Sequence, residues 1–111
     1  MRKYKNIADG VIITELDNGY SVVSMYKYNK ITEIYDVTYY LKDDAVDTFT
    51  LMDGITDVFD TDYKSIKTMI MNRIENYVKE GTFGCYILRS QYEQECFELG
   101  NSIKEKERLL C

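Results

Sequence analysis

Residues 11–41, VIITELDNGYSVVSMYKYNKITEIYDVTYYL, decide the fold. Val11–Leu16 is rich in apolar residues, Asp17-Asn18-Gly19 is a turn, and Tyr20–Tyr28 has strand composition. Asn29-Lys30 makes a second turn, and Ile31–Leu41 is strand-like again. Asn-Gly between two such runs is the strongest short hairpin signal, because a type I′ turn needs positive φ at both central residues. Asn29-Lys30 is a weaker match, since lysine tolerates positive φ poorly. The stretch therefore predicts two consecutive hairpins.

Two-residue loops would fix the register and hence the faces. They would pair Tyr20 with Tyr39, Val22 with Val37 and Met25 with Ile34. One face would then carry Val11, Ile13, Glu15, Tyr20, Val22, Ser24, Tyr26, Tyr28, Ile31, Glu33, Tyr35, Val37, Tyr39 and Leu41. The other would carry Ile12, Thr14, Leu16, Ser21, Val23, Met25, Lys27, Thr32, Ile34, Asp36, Thr38 and Tyr40. Neither face is cleanly polar, as a face in water should be. Either both are covered or one of them binds.

Working outward, Lys42-Asp43-Asp44 reads as a turn and Ala45–Met52 as a fourth strand that Asp53-Gly54 ends. A helix follows, with Asp60 or Asp62 at its N-terminus, where a carboxylate accepts from free N–H groups and meets the positive end of the dipole. Ile66, Ile70, Ile74 and Tyr77, with Tyr63 and Met69, make its apolar stripe. Gly81 stands where a left-handed stop belongs. Residues 82–88 fit either a fifth strand or the lead into a further helix. Ser90–Leu110 reads as a second helix, with Tyr92, Cys96, Leu99, Ile103 and Leu110 on one stripe and Gly100 weakening it. The expected class is α+β, an antiparallel meander of three to five strands packed against two helices, in a single domain spanning 1–111.

The composition suits this. The 111 residues are 45% hydrophobic and 30% charged, enough to build one core without a metal or disulfide. No run approaches the ~20 apolar residues of a membrane span. The basic start, Met1 to Asn6, leads into Ala8-Asp9-Gly10, which is no signal-peptide core. Three cysteines, Cys85, Cys96 and Cys111, lack metal or redox spacing, so a reduced, cytoplasmic protein is expected. Abundant Lys, Ile, Asn and Tyr fit an AT-rich genome, such as that of a low-GC bacterium or its phages.

Asp and Glu number 19 against 14 Lys and Arg, which argues against nucleic acid as a direct partner. From Asp43 to Asp62 there are seven aspartates, Asp43, Asp44, Asp47, Asp53, Asp57, Asp60 and Asp62, and no basic residue. Asp60-Thr61-Asp62 resembles the start of a cation loop, but the glycine and terminal glutamate are missing. With no histidine in the chain, a zinc site would need carboxylates and a cysteine nucleophile would lack its usual base. The six glycines never form a phosphate-cradling loop. No cofactor, metal or catalytic residue is expected.

Eleven tyrosines, six of them in residues 11–41, supply interface-type area. Candidate partner-binding residues are therefore the seven aspartates with Tyr26, Tyr28 and Tyr35. The expected function is a small acidic, non-enzymatic binding protein. Its carboxylates would imitate the phosphates of nucleic acid and block a protein partner with a basic surface, as phage and mobile-element inhibitors of the anti-CRISPR type do. The alternative is a small dimeric structural or assembly protein, and the third is a hydrolytic or nucleotide-binding enzyme. A homodimer is expected through the second helix or the tyrosine-rich face.

Overall fold

A computed structural model describes residues 4–93, 95 and 96. Five strands, β1 (Tyr4–Ala8), β2 (Val11–Glu15), β3 (Tyr20–Asn29), β4 (Ile34–Asp43) and β5 (Thr48–Phe59), form one antiparallel sheet in chain order. Helix α1 (Ile66–Glu80) follows, and residues 84–93 are helical again. The architecture is the expected α+β meander with two helices. No helix among the described residues is long and apolar enough to cross a membrane.

The hairpins form where expected, but with longer loops. Between β2 and β3 the Leu16 N–H donates to the Tyr20 carbonyl, leaving a three-residue loop, Asp17-Asn18-Gly19. Gly19 sits at φ +83°, and the Asn18 Oδ1 accepts from the Tyr20 N–H at 3.2 Å. A three-residue loop with glycine in the left-handed position is the next commonest hairpin after the two-residue one. The extra residue moves the β2 register by one, so Ile12 and Thr14 are fully buried, and not Ile13 and Glu15.

The β3–β4 and β4–β5 loops share one construction. Asn29 pairs with Ile34 and Asp43 with Thr48, each across four residues. In each, the N–H of the last loop residue, Glu33 or Asp47, donates to the carbonyl of Asn29 or Asp43. The Oδ1 of Asn29 and of Asp43 accepts from the N–H two residues on, at 2.9 and 3.0 Å. Glu33 and Asp47 adopt φ +58° and +55° to close the loops. The expected pairs Tyr20–Tyr39, Val22–Val37 and Met25–Ile34 are replaced by Tyr20–Asp43, Val22–Leu41 and Met25–Thr38.

Asp53-Gly54 does not end a strand. β5 runs through it to Phe59, and the glycine marks a bulge, the other use of Gly in a strand. Between Thr38–Thr56 and Tyr40–Leu51, the single residue Tyr39 on β4 faces four residues, 52–55, on β5. The bulge turns both Met52 and Ile55 into the core.

Helix α1 covers one face of the sheet. Ile66, Ile70, Ile74 and Tyr77 are buried as the stripe predicts, joined by Met71, whereas Tyr63 is exposed and Met69 half-buried. They pack on Ile12, Tyr20, Val22, Tyr26, Tyr35, Val37, Tyr39 and Leu41, forming one core. Gly81 is left-handed, and the N–H groups of Gly81 and Thr82 donate to the Val78 and Tyr77 carbonyls, closing the helix with a Schellman pattern. Residues 82–88 resolve as turn and helix, with Phe83 buried against Tyr77 at 5.8 Å between ring centres. Of the second helix's expected stripe, Tyr92 and Cys96 are exposed, while Leu99, Ile103 and Leu110 lie outside the described residues, as do Gly100 and Cys111.

Candidate partner-binding surfaces

The up-and-down order places the β2–β3 and β4–β5 turns at one end of the sheet, and they are tied together. The Asp44 N–H donates to the Gly19 carbonyl at 3.1 Å, and the Ser21 hydroxyl lies 3.0 Å from both Asp44 carboxylate oxygens. This end collects Glu15, Asp17, Asp43, Asp44 and Asp47. Lys42 pairs with Asp44 at 3.8 Å and with Asp47 at 3.5 Å, leaving the Asp47 side chain 79% exposed. Asp43 is half-buried and directs one oxygen into its own turn. Sequence reasoning named three of these five. Glu15 and Asp17 lie outside the aspartate run, and only the hairpin order brings them in.

The other four aspartates lie elsewhere. Asp53, in the bulge, is 3.5 Å from Arg89 of the second helix. Asp60 is exposed beyond the far end of β5, and Asp62 accepts from the Ser65 N–H at 2.8 Å, ordering the entry to α1. Asp57 is held inside the fold. Its Oδ2 accepts from the Tyr39 and Tyr77 hydroxyls, both at 2.7 Å, and its Oδ1 faces the Arg73 Nε at 3.1 Å.

Burial, reinforced by the Asp57 hydrogen bond and charge, pushes the Tyr39 phenol far above its ordinary range. Burial and the Asp57 hydrogen bond raise Tyr77 too, against the opposing effect of Arg73. The Tyr77 hydrogen bond and the Asp57 charge hold Arg73 more firmly protonated. Phenols this hard to ionise neither accept protons nor attack a substrate near neutral pH. The cluster is a clamp joining β4, β5 and α1.

The tyrosine-rich face of β3 and β4 is the covered one. Tyr26 and Tyr35 are buried with rings 6.1 Å apart, and Tyr28 is 43% exposed, its ring 5.2 Å from that of Tyr35. The Tyr26 hydroxyl and the Ser24 Oγ are buried without a hydrogen-bond partner among the described residues. At that end Tyr63, which is exposed, donates to Asp9 at 3.2 Å, and the Asp9 charge raises its phenol. Among the described residues no three Cys, Asp or Glu side chains converge closely enough to hold a metal ion.

The opposite face has no described element packed on it. Ile13, Val23, Tyr40 and Leu51 stand in direct register across four strands. Met25 beside them is 46% exposed, and Phe49, Leu51 and Val58 are 57%, 44% and 63% exposed. Polar side chains flank this apolar middle: Glu15, Ser21 and Lys42 on one side, Lys27 and Asp36 on the other. The sequence held this signal in its alternation, but the assumed β2 register placed Ile13 on the wrong face.

No family model matches the chain, and no curated protein or solved structure matches it.

Proposed function

We propose that the protein is a non-catalytic binding protein whose acidic sheet end docks on the basic groove of a nucleic-acid-binding protein. It would block that groove by charge imitation, as a phage or mobile-element inhibitor does. The observation that supports this is the gathering of Glu15, Asp17, Asp43, Asp44 and Asp47 from two turns locked by the Asp44–Gly19 hydrogen bond. Carboxylates on rigid turns present a fixed negative field, which steers encounter with a basic surface and fixes register on it. Asp57 is enclosed by the tyrosine clamp, and Asp53, Asp60 and Asp62 lie away from this end, so the proposal rests on the turn carboxylates, which outnumber Lys42, the cation paired with two of them.

The test compares the protein with an Asp44→Lys/Asp47→Lys variant, leaving Asp43 to hold its turn. Each is used to capture partners from host lysate at low and high salt. The expected result is a nucleic-acid-binding protein held by the wild type, displaced by DNA or RNA, released at high salt and missed by the folded variant. Equal capture by the variant would reduce the acidic end to a solubility device.

The second reading, a dimeric structural or assembly protein, is favoured by a different observation, the apolar face opposite α1 on which no described element packs.

A further inference from the structure

We propose that the sheet face opposite α1 is a two-fold interface with a second copy of this chain. The inference stands whether or not the acidic end binds a partner. Three features of the face carry it.

The first is its pattern. The row Ile13, Val23, Tyr40, Leu51 and the exposed Met25 make an apolar middle that continues along β5 to the exposed Phe49 and Val58, while the charged Glu15, Lys42, Lys27 and Asp36 stand at the strand ends on β2 to β4. An apolar core inside a polar rim is the anatomy of a protein interface. A solvated sheet face would instead be polar throughout.

The second is area. Five strands about 4.8 Å apart, with about eight residues each at ~3.3 Å rise, present roughly 600 Å². Two such faces would bury about 1,200 Å², the lower bound for a stable specific interface.

The third is charge, and it selects a second copy over another partner. Ser24 pairs with Tyr39, and on either side of that pair stand Ser21–Lys42 and Lys27–Asp36, each three residues away. A two-fold axis in the plane of the interface, perpendicular to the strands and passing over Ser24–Tyr39, stacks β4 on its own copy running the opposite way. Asp36 of one copy then lies over Lys42 of the other, and Lys42 over Asp36. By the same operation Lys27 lies over Ser21, whose hydroxyl is bonded to Asp44. Lys27 and Asp36, although opposite each other, form no ion pair among the described residues. The face is therefore complementary to itself, as an isologous interface must be, and aligned packing of two sheets is a standard arrangement.

The experiment is sedimentation of the full chain at about 100 µM, with circular dichroism to confirm folding of each variant. The wild type is expected to be a dimer. Asp36→Lys and Lys42→Asp should each be monomeric, because each opposes like charges at two places. Mixed one to one, they should restore dimer, now strictly of one variant with the other, since both pairs become attractive. Met25→Glu should be a folded monomer. A monomeric wild type would overturn the proposal, and so would a dimer that survives Met25→Glu. Failure of the two charge variants to combine would overturn the two-fold arrangement.

Discussion

The Tyr39 hydroxyl donates a 2.7 Å hydrogen bond to the Asp57 carboxylate, and Tyr39 is the largest fully buried side chain among the described residues. The same oxygen takes a second 2.7 Å bond from Tyr77, and the other oxygen faces Arg73. One carboxylate thus satisfies two phenols and a guanidinium from β4 and α1. Asp57→Ala strands the two buried phenols, while the half-exposed Arg73 can turn to water; a buried donor left unmet costs ~1–3 kcal/mol, so a loss of about 3 kcal/mol is expected. Asp57→Asn keeps an acceptor and should lose about half as much. Urea unfolding of the three proteins checks the order.

Burial of the Tyr39 phenol, reinforced by the same bond, sets an alkaline limit. The Tyr39 phenol is raised in the folded state, while in the unfolded chain it releases its proton near the ordinary value of about 10. Its stabilisation is therefore complete below pH 10 and declines above it, at up to about 1.4 kcal/mol per pH unit. Tyr39→Phe removes both the bond and the proton. It should be less stable by about 1 kcal/mol at pH 7, with the gap closing near pH 11. Denaturant titrations of both proteins from pH 7 to 11 measure it, and a constant gap would refute it.

Gly10 and Gly19 share φ +83° but not their surroundings. A Cβ on Gly10 would lie 2.7 Å from the Tyr26 carbonyl oxygen, whereas one on Gly19 meets nothing within 4 Å. The Tyr26 N–H also donates to the Gly10 carbonyl at 2.8 Å, so neither backbone can retreat without breaking that bond. Gly19→Ala should cost only the left-handed strain, about 1 kcal/mol, and Gly10→Ala more than about 2 kcal/mol. Thermal unfolding of both variants checks the difference.

What the sequence disclosed follows from parity. The β3–β4 loop is two residues longer than assumed, so the expected and observed pairings of those strands differ by an even number of positions. Their faces came out right although every pair was wrong. The β2–β3 loop is longer by one residue, an odd shift, and β2 came out inverted. The helix stripe was legible because it repeats over four turns. The bulge was not, because Asp-Gly signals a strand end and a bulge alike. For the acidic end the residue types were visible, but which turns share an end is a property of strand order. Glu15 and Asp17 joined it only through the topology.

The two faces make the last prediction. Leu41 and Leu51 lie on neighbouring strands, β4 and β5, but Leu41 is 1% exposed against the core under α1 and Leu51 is 44% exposed on the opposite face. Truncating Leu41 removes packed atoms and leaves a cavity that the sheet cannot collapse, so Leu41→Ala should lose ~2–5 kcal/mol. Leu51 already meets solvent in a single copy, so Leu51→Ala should move the unfolding free energy of dilute, monomeric protein by less than about 1 kcal/mol. At concentrations where copies associate, the order of effects should change: Leu51→Ala should then weaken self-association, and Leu41→Ala should leave it intact wherever the fold persists. Urea unfolding at about 1 µM and sedimentation at about 100 µM separate the two roles. If Leu51→Ala proved as destabilising at low concentration as Leu41→Ala, the face opposite α1 would be part of the core rather than a surface.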